Sequence, residues 1–235
     1  MVIMKKAVIL LLLVFSTVPV FAHKARWDDN KINWSPLMLA IYNGQTKIFT
    51  KLIAQDSNLN YCPDTSSYLH LTALNIAVRM DDEASVRALL TTKKIQHPES
   101  DLMEACSRNN SSINNILIVE MLLKYGANPN DTLFNGYSVL MSAASFGTPE
   151  ALECLLKHAA SVKYRRAIDG ITPLMLAAFS GSPQKVKLLL DYGADKYILD
   201  KNGDSALSFV EQTYPSLKIS EAAKTELTEL RELLK

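Results

Sequence analysis

One hydrophobic pattern recurs along most of this chain. A first block, apolar with a small residue near its centre, reads SPLMLAIYNG from Ser35, LTALNIAVRM from Leu71, SDLMEACSRN from Ser100, YSVLMSAASFG from Tyr137, GITPLMLAAFSG from Gly170 and DSALSFV from Asp204. Its aligned leucines are Leu37, Leu74, Leu102, Leu140, Leu174 and Leu207, at spacings of 37, 28, 38, 34 and 33 residues. A second block carries Leu52-Ile53, Leu89-Leu90, Leu122-Leu123, Leu155-Leu156 and Leu189-Leu190. Counted from Ala40, Ala77, Ala143 and Ala177, it begins 12 residues later in four copies. In the third copy it begins 17 residues later, because NNSSINN (109–115) is inserted. Two blocks recurring in phase predict a repeat architecture.

Each copy predicts two short antiparallel helices and a turn. In the fifth, Thr172 stands near an N-cap and Pro173 in the first turn, where its missing N–H costs nothing. Ala177-Ala178 let two helices approach closely, and Gly181 and Gly193 supply the left-handed conformation that ends a helix. One such pair cannot bury its apolar face alone, so copies must stack.

These blocks closely resemble the ankyrin repeat family, with its Gly turn, Thr-Pro-Leu-His, Ala-Ala, Gly, Val-x-x-Leu-Leu and Gly-Ala-Asp at a period of about 33 residues. The best match is DGITPLMLAAFSGSPQKVKLLLDYGAD, residues 169–195. The resemblance implies an all-α solenoid of about six repeats over 23–235, at approximately 30–60, 67–97, 98–130, 131–163, 167–199 and 200–235. The family's His is Met at 38, 103, 141 and 175, and the first three repeats lack most turn glycines. The closing helix, roughly 220–235, places Ala223, Leu227, Leu230 and Leu234 on one stripe with polar residues elsewhere, as a terminal cap requires.

The first 22 residues carry a different pattern. Lys5 and Lys6, an apolar run from Ala7 to Phe15, the helix breaker Pro19 and the ending Val20-Phe21-Ala22 predict a secretory signal peptide at 1–22, cleaved after Ala22. The run breaks at Ser16-Thr17, short of the roughly 20 apolar residues that span a bilayer. The expectation is an exported, periplasmic bacterial protein with no membrane attachment after processing. Removing Lys5 and Lys6 from 25 basic residues leaves 23 against 24 acidic, a net charge of −1. That is not the charge of a nucleic-acid binder.

Candidate chemistry is sparse. Cys62, Cys106 and Cys154 are odd in number and far apart, without metal spacing, and read as two partly buried small hydrophobes and a loop thiol. The histidines His23, His70, His97 and His158 have no nucleophile or carboxylate at motif spacing, and His158 falls in the last turn of a helix, where a cation suits the dipole. Asp81-Asp82-Glu83 lies in a helix–helix turn and lacks the alternating oxygen ligands of a calcium loop. The expectation is therefore no catalytic residue, no metal and no cofactor.

What remains is binding. The resemblance implies a groove formed by turn tips and the exposed side of the first helices. Carried over by position, the partner-binding candidates are Phe134, Asn135, Tyr137 and Phe146 in the fourth repeat and Ile168, Asp169, Ile171 and Phe179 in the fifth. Buried aromatic anchors dominate interface energies, at about 2 kcal/mol or more each at a hot spot. The expected partner is another protein, specifically a periplasmic cell-wall hydrolase that this chain, a monomer before binding, inhibits in a self-protection role. The alternative is a scaffold that bridges partners without inhibiting either, favoured by a second apolar patch; the connector YCPDTSSYLH (61–70) is a candidate finger for it.

Overall fold

The computed structural model describes residues 34–55, 58–62, 71–96, 98–109, 112–133, 135–214 and 221–235. The expected signal peptide, most of the 61–70 connector and Phe134 lie outside the described residues. Within them the chain is helical, with one isolated β-bridge between Thr132 and Ser138. Two compact units divide it, one ending at Ala73 and the other running from Leu74.

The first unit holds α1 (Pro36–Tyr42) and α2 (Thr46–Ala54), packed on each other. Ser35 caps α1 by accepting from the Met38 N–H, and Trp34 meets Tyr42 edge-on at 5.4 Å between ring centroids.

The second unit repeats that hairpin. Its helices are α3 (Ala73–Arg79), α4 (Glu83–Thr91), α5 (Glu99–Ser107), α6 (Ile113–Lys124), α7 (Val139–Phe146), α8 (Pro149–Lys157), α9 (Pro173–Phe179), α10 (Pro183–Asp191), α11 (Ala206–Thr213) and α12 (Glu221–Leu234). They form two rows: α5, α7, α9 and α11 pack one on the next, and so do α4, α6, α8, α10 and α12. Ala105, Ala143, Ala144, Ala177 and Ala178 are fully buried along the first row, because a methyl group is all that fits between adjacent backbones. The second row seals the core with the paired leucines Leu89, Leu122, Leu155 and Leu189, each fully buried. Burying one such side chain contributes about 1.5–3 kcal/mol.

The helix starts follow the sequence. Thr172 accepts from the Met175 N–H at 3.3 Å with Pro173 opening α9, and Ser138, Thr148 and Ser182 do the same for α7, α8 and α10. The methionines that replace the family's His are core residues: Met38, Met141 and Met175 are fully buried and Met103 nearly so. The 109–115 insertion adds a turn to α6, which runs 12 residues against nine in α4, α8 and α10. Its Asn115 is buried and donates to the Ala105 carbonyl at 3.3 Å.

The missing glycines do not change the turns. Gly181 has φ +74° and its counterpart in the second repeat, Asp81, has φ +58°. Gly193 has φ +85°, and its counterparts Lys93 and Ala159 have +58° and +63°. Side-chain-bearing residues are held in the left-handed region by the packing around them, at about 1–2 kcal/mol each.

At the C-terminal end, α12 buries Leu227, Leu230 and Leu234 of the expected stripe, and its polar residues from Lys224 onward are exposed or half-buried; the side chain of Ala223 lies outside what is described. Tyr214 closes the last turn by donating its hydroxyl to the Phe179 carbonyl at 3.1 Å. Cys106 and Cys154 are buried more completely than their sequence context suggests, and burial pushes both thiols up, Cys154 to about 11. No helix among the described residues is long and apolar enough to cross a membrane.

Candidate partner-binding face

Between successive helix pairs the chain runs out and back as a short hairpin, a finger. In the fourth repeat, Leu133 N–H donates to the Tyr137 carbonyl at 2.9 Å and Gly136 N–H to the Leu133 carbonyl at 2.8 Å. In the sixth, Asp200 N–H donates to Asp204 and Gly203 N–H to Asp200, at 2.9 and 3.1 Å. The fifth finger repeats the scheme with one residue more: Arg166 N–H donates to the Ile171 carbonyl and Gly170 N–H to the Arg166 carbonyl, at 2.9 and 2.8 Å. The longer turn carries Ile168 at its tip, 68% exposed.

Hydrogen bonds from finger to finger fix the row. Tyr164 donates its hydroxyl to the Gly136 carbonyl at 2.8 Å, joining the fourth and fifth fingers. Arg165 reaches the Leu199 carbonyl at 2.7 Å, and Lys201 donates its backbone N–H to the Asp169 backbone carbonyl at 2.7 Å and its ammonium to the Ala167 carbonyl at 2.6 Å, joining the fifth to the sixth. A partner meeting this row loses little loop entropy on binding, because the backbone is already ordered.

The expected site residues fall into three groups. Ile168 faces solvent. Phe146 and Phe179, at the C-terminal ends of α7 and α9, and Asn135 and Tyr137 are half-buried. Asn135 turns its carbonyl oxygen back to accept from the Tyr137 N–H at 3.0 Å. The Tyr137 hydroxyl lies 2.6 Å from Ser145 Oγ, and the Arg166 guanidinium sits over its ring at 5.5 Å. Burial pushes that phenol up to about 12, against the lowering effect of Ser145 and Arg166.

Ile171 departs from the expectation, and Asp169 serves the turn itself. Ile171 is only 7% exposed, because the finger's return strand turns its side chain inward, and it offers a partner almost nothing. Asp169 holds the turn together. Its carboxylate accepts from Arg166 Nε at 2.9 Å and from the Ile171 N–H at 3.2 Å, and forms an ion pair with Arg166. Burial works to raise its pKa, but those hydrogen bonds outweigh it and hold the carboxyl below its usual range.

Polar residues elsewhere on the first-helix row are engaged with one another. Arg79 pairs with Glu104 at 2.9 Å, and Arg108 caps α3 by donating to the Val78 and Arg79 carbonyls at 2.8 Å each. The acids of the 81–83 turn are also spent: Asp82 caps α4, Asp81 accepts from Ser112, and Glu83 pairs with Arg87. His158 caps α8, its Nδ1 2.9 Å from the Cys154 carbonyl. Among the described residues, no group of three His, Cys, Asp or Glu is placed to hold a metal ion.

A model of ankyrin repeats in three copies matches residues 4–101 and 102–207. The chain belongs to the ankyrin repeat family. Solved structures share the fold. An ankyrin repeat domain from Acinetobacter baumannii aligns over 85% of this chain and 95% of its own length, with TM-score 0.66 and 22% identity. A chain from the solved complex of a predatory endopeptidase from Bdellovibrio bacteriovorus with an immunity protein aligns over 84% of this chain and 98% of its own, with TM-score 0.64 and 21% identity.

Curated relatives match in part. Glycerophosphocholine phosphodiesterase from Schizosaccharomyces pombe is 30% identical over 59% of this chain, and NF-kappa-B inhibitor delta from Mus musculus 43% identical over 27%. A putative ankyrin repeat protein of Acanthamoeba polyphaga mimivirus is 33% identical over 39%. The chain spans 12%, 20% and 60% of these three proteins. Ankyrin repeats bind other proteins and are typically non-enzymatic, so the coarse function of the chain is protein binding.

Sequence reasoning missed three residues of consequence. Arg165 and Leu199 each stand one residue before the turn opens in the fifth and sixth fingers; aligning the fingers on Gly170 and Gly203 sets Arg166 opposite Leu199 instead, because the fifth turn is one residue longer, so the sequence hid the pair. Lys185 looks like one more lysine of an amphipathic helix, and only the structure shows it buried.

Proposed function

We propose that this chain is an exported inhibitor that covers the working site of a periplasmic cell-wall hydrolase and protects the cell that makes it, with no catalysis of its own. The finger row carries the reading: Leu133, Ile168, Tyr197 and Leu199 stand exposed on three consecutive hairpins whose backbones are tied together. Exposed apolar side chains on a rigid frame mark a protein interface. The leader pattern of residues 1–22 supports export, and the fold shared with a chain of an endopeptidase–immunity protein complex is in keeping with the target class.

The test is enzymatic. The processed chain, starting at His23, is titrated into peptidoglycan hydrolysis by purified envelope hydrolases, and loss of activity at equimolar inhibitor, with a co-eluting complex, is expected for at least one. Undiminished hydrolysis by every enzyme tried, or recovery of the uncleaved chain from the cytoplasm, would count against the proposal.

One observation favours the bridging alternative. Met80 and Ile113 are exposed, and flank the Asp81–Ser112 hydrogen bond that joins the second and third repeats. That is a second apolar patch, away from the fingers. A ternary complex whose hydrolase member remains active would select the scaffold.

A further inference from the structure

We propose that the tips of the fifth and sixth fingers dock an acidic segment of the partner, one that carries carboxylates on either side of an apolar side chain. This deepens the protein-binding reading and rests on it.

The two fingers separate their charges. All four aspartates in 161–171 and 194–205 accept hydrogen bonds from the chain itself, and of the four Asp200 is buried, Asp169 and Asp204 are half-buried and Asp195 is exposed. Asp169 holds Arg166 and the Ile171 N–H; Asp195 accepts from the Tyr197 N–H at 2.9 Å. Asp200, itself buried, accepts from the Asn202 and Asp204 N–H groups at 2.7 and 2.9 Å, and Asp204 accepts from Gln212 at 2.6 Å. Of the five cations in the same segments, only Arg166 is neutralised by a carboxylate. Lys163, Arg165 and Lys201 are exposed, and among the described residues neither they nor Lys196 pairs with one.

The two cations that matter most are held beside the two apolar tips. The Lys201 ammonium bonds to the Ala167 carbonyl, next to Ile168, and the Arg165 guanidinium bonds to the carbonyl of Leu199, which is 50% exposed. Each spends part of its hydrogen-bonding capacity on a neutral carbonyl and keeps its charge uncompensated. Arg165 retains donors for a carboxylate, and its planar fork suits one better than an ammonium does. An apolar side chain seated against Ile168 and Leu199 places flanking Asp or Glu residues within reach of Lys201 on one side and Arg165 on the other. Nucleic acid is the lesser candidate: it leaves Ile168 and Leu199 without an apolar contact, and the chain as a whole carries a formal charge of only +1.

A displayed library of random 12-residue peptides, selected on the full processed chain at low salt, tests this. Selected peptides are expected to be rich in Asp and Glu around a central Leu, Ile or Phe. As synthetic fluorescent peptides they should bind Arg165→Glu/Lys201→Glu at least ~10-fold more weakly, through like-charge repulsion, and Ile168→Ser more weakly than wild type. Arg165→Gln/Lys201→Gln, checked by its helical circular dichroism, removes charge without reversing it, and should flatten the fall in affinity with salt. Neutral or basic peptides, acidic peptides held equally by both double variants, no selected peptide, or a single-stranded oligonucleotide outcompeting the peptides would each overturn the proposal. The parent reading is tested apart: a hydrolase inhibited equally by wild type and Arg165→Glu/Lys201→Glu sinks this proposal alone. Acidic peptides bound at the fingers, with no hydrolase inhibited, sink the inhibitor reading alone.

Discussion

Lys185 offers the sharpest test of the energetics of this fold. Its helix, α10, buries the side chain, and the ammonium donates to the Ala144 carbonyl at 2.7 Å and the Gly147 carbonyl at 3.3 Å, at the C-terminal end of α7. A cation suits those partly negative carbonyls, but no carboxylate accompanies it, and burial alone lowers its pKa from 10.5 to about 8. A lysine with a depressed folded-state pKa binds protons less readily folded than unfolded. Its contribution to stability is therefore least favourable below about pH 8 and improves as pH rises towards the unfolded value. With these two pKa values, the wild type gains roughly 2–3 kcal/mol from this one group between pH 7 and pH 10. Lys185→Met keeps most of the side chain's length and removes the titration. Urea unfolding of both proteins at each pH from 7 to 10 isolates the effect, because other titrating groups, Tyr137 and Cys154 among them, cancel in the difference. The wild type should gain on the variant by roughly 2–3 kcal/mol across that range. Two stability curves that stay parallel to within ~0.5 kcal/mol would refute the reasoning, and would mean that water reaches the amine.

Three further predictions concern packing and the fingers. Gly147 has extended backbone that any residue adopts, but an added Cβ would lie 2.1 Å from the Cys106 carbonyl oxygen and 2.9 Å from Ala143 Cα, so Gly147→Ala should destabilise by about 3 kcal/mol, read as a lowered urea midpoint. Ala159 sits at φ +63°, and Ala159→Gly should raise stability by roughly 0.5–1 kcal/mol and the melting temperature by a few degrees; an unchanged or lower melting temperature would show that the packing stores no strain there. Ile168→Ala should leave stability within about 0.5 kcal/mol of wild type, whereas Ile171→Ala, three residues on but buried, should cost about 2 kcal/mol or more; equal effects in thermal unfolding would contradict the inward turn of the finger.

Most of the fold was legible because its determinants are local. Ser138, Thr148, Thr172 and Ser182 cap the helices they precede, and the small residues and leucine pairs fall in the core at the spacing the sequence sets. The turns without glycine were legible for a different reason. Packing on both sides of Asp81, Lys93 and Ala159 enforces one backbone path, so the repeat pattern predicts the turn better than the residue in it does. The insertion at 109–115 raised a question that spacing could not answer. It could have extended a loop or a helix. The added residues are shared between the two: the α5–α6 connection spans 108–112, and α6 is three residues longer than its counterparts, with Asn115 drawn into the core to reach the Ala105 carbonyl.

The binding face was harder to read, and the fifth finger shows why. Alternation along a hairpin is set by its register, and one additional residue in a turn reverses which side chains point out. The fifth finger spans Arg166 to Ile171 where the fourth spans Leu133 to Tyr137. Alignment with the fourth finger puts Ile171 at the position of half-exposed Tyr137, yet its side chain is buried, and the surplus length appears instead at Ile168. Charge has the same non-local character. Asp169, Asp195, Asp200 and Asp204 offset the neighbouring lysines and arginines in any count made along the sequence, but geometry spends those acids on backbone N–H groups, Arg166 and Gln212. Asp200 is buried and Asp169 is paired with Arg166, so a partner would meet Lys163, Arg165, Lys196 and Lys201 against exposed Asp195 and half-buried Asp204, and a near-neutral chain can present a basic, apolar tip. Such a surface is recognised from which charges are already satisfied, not from how many there are.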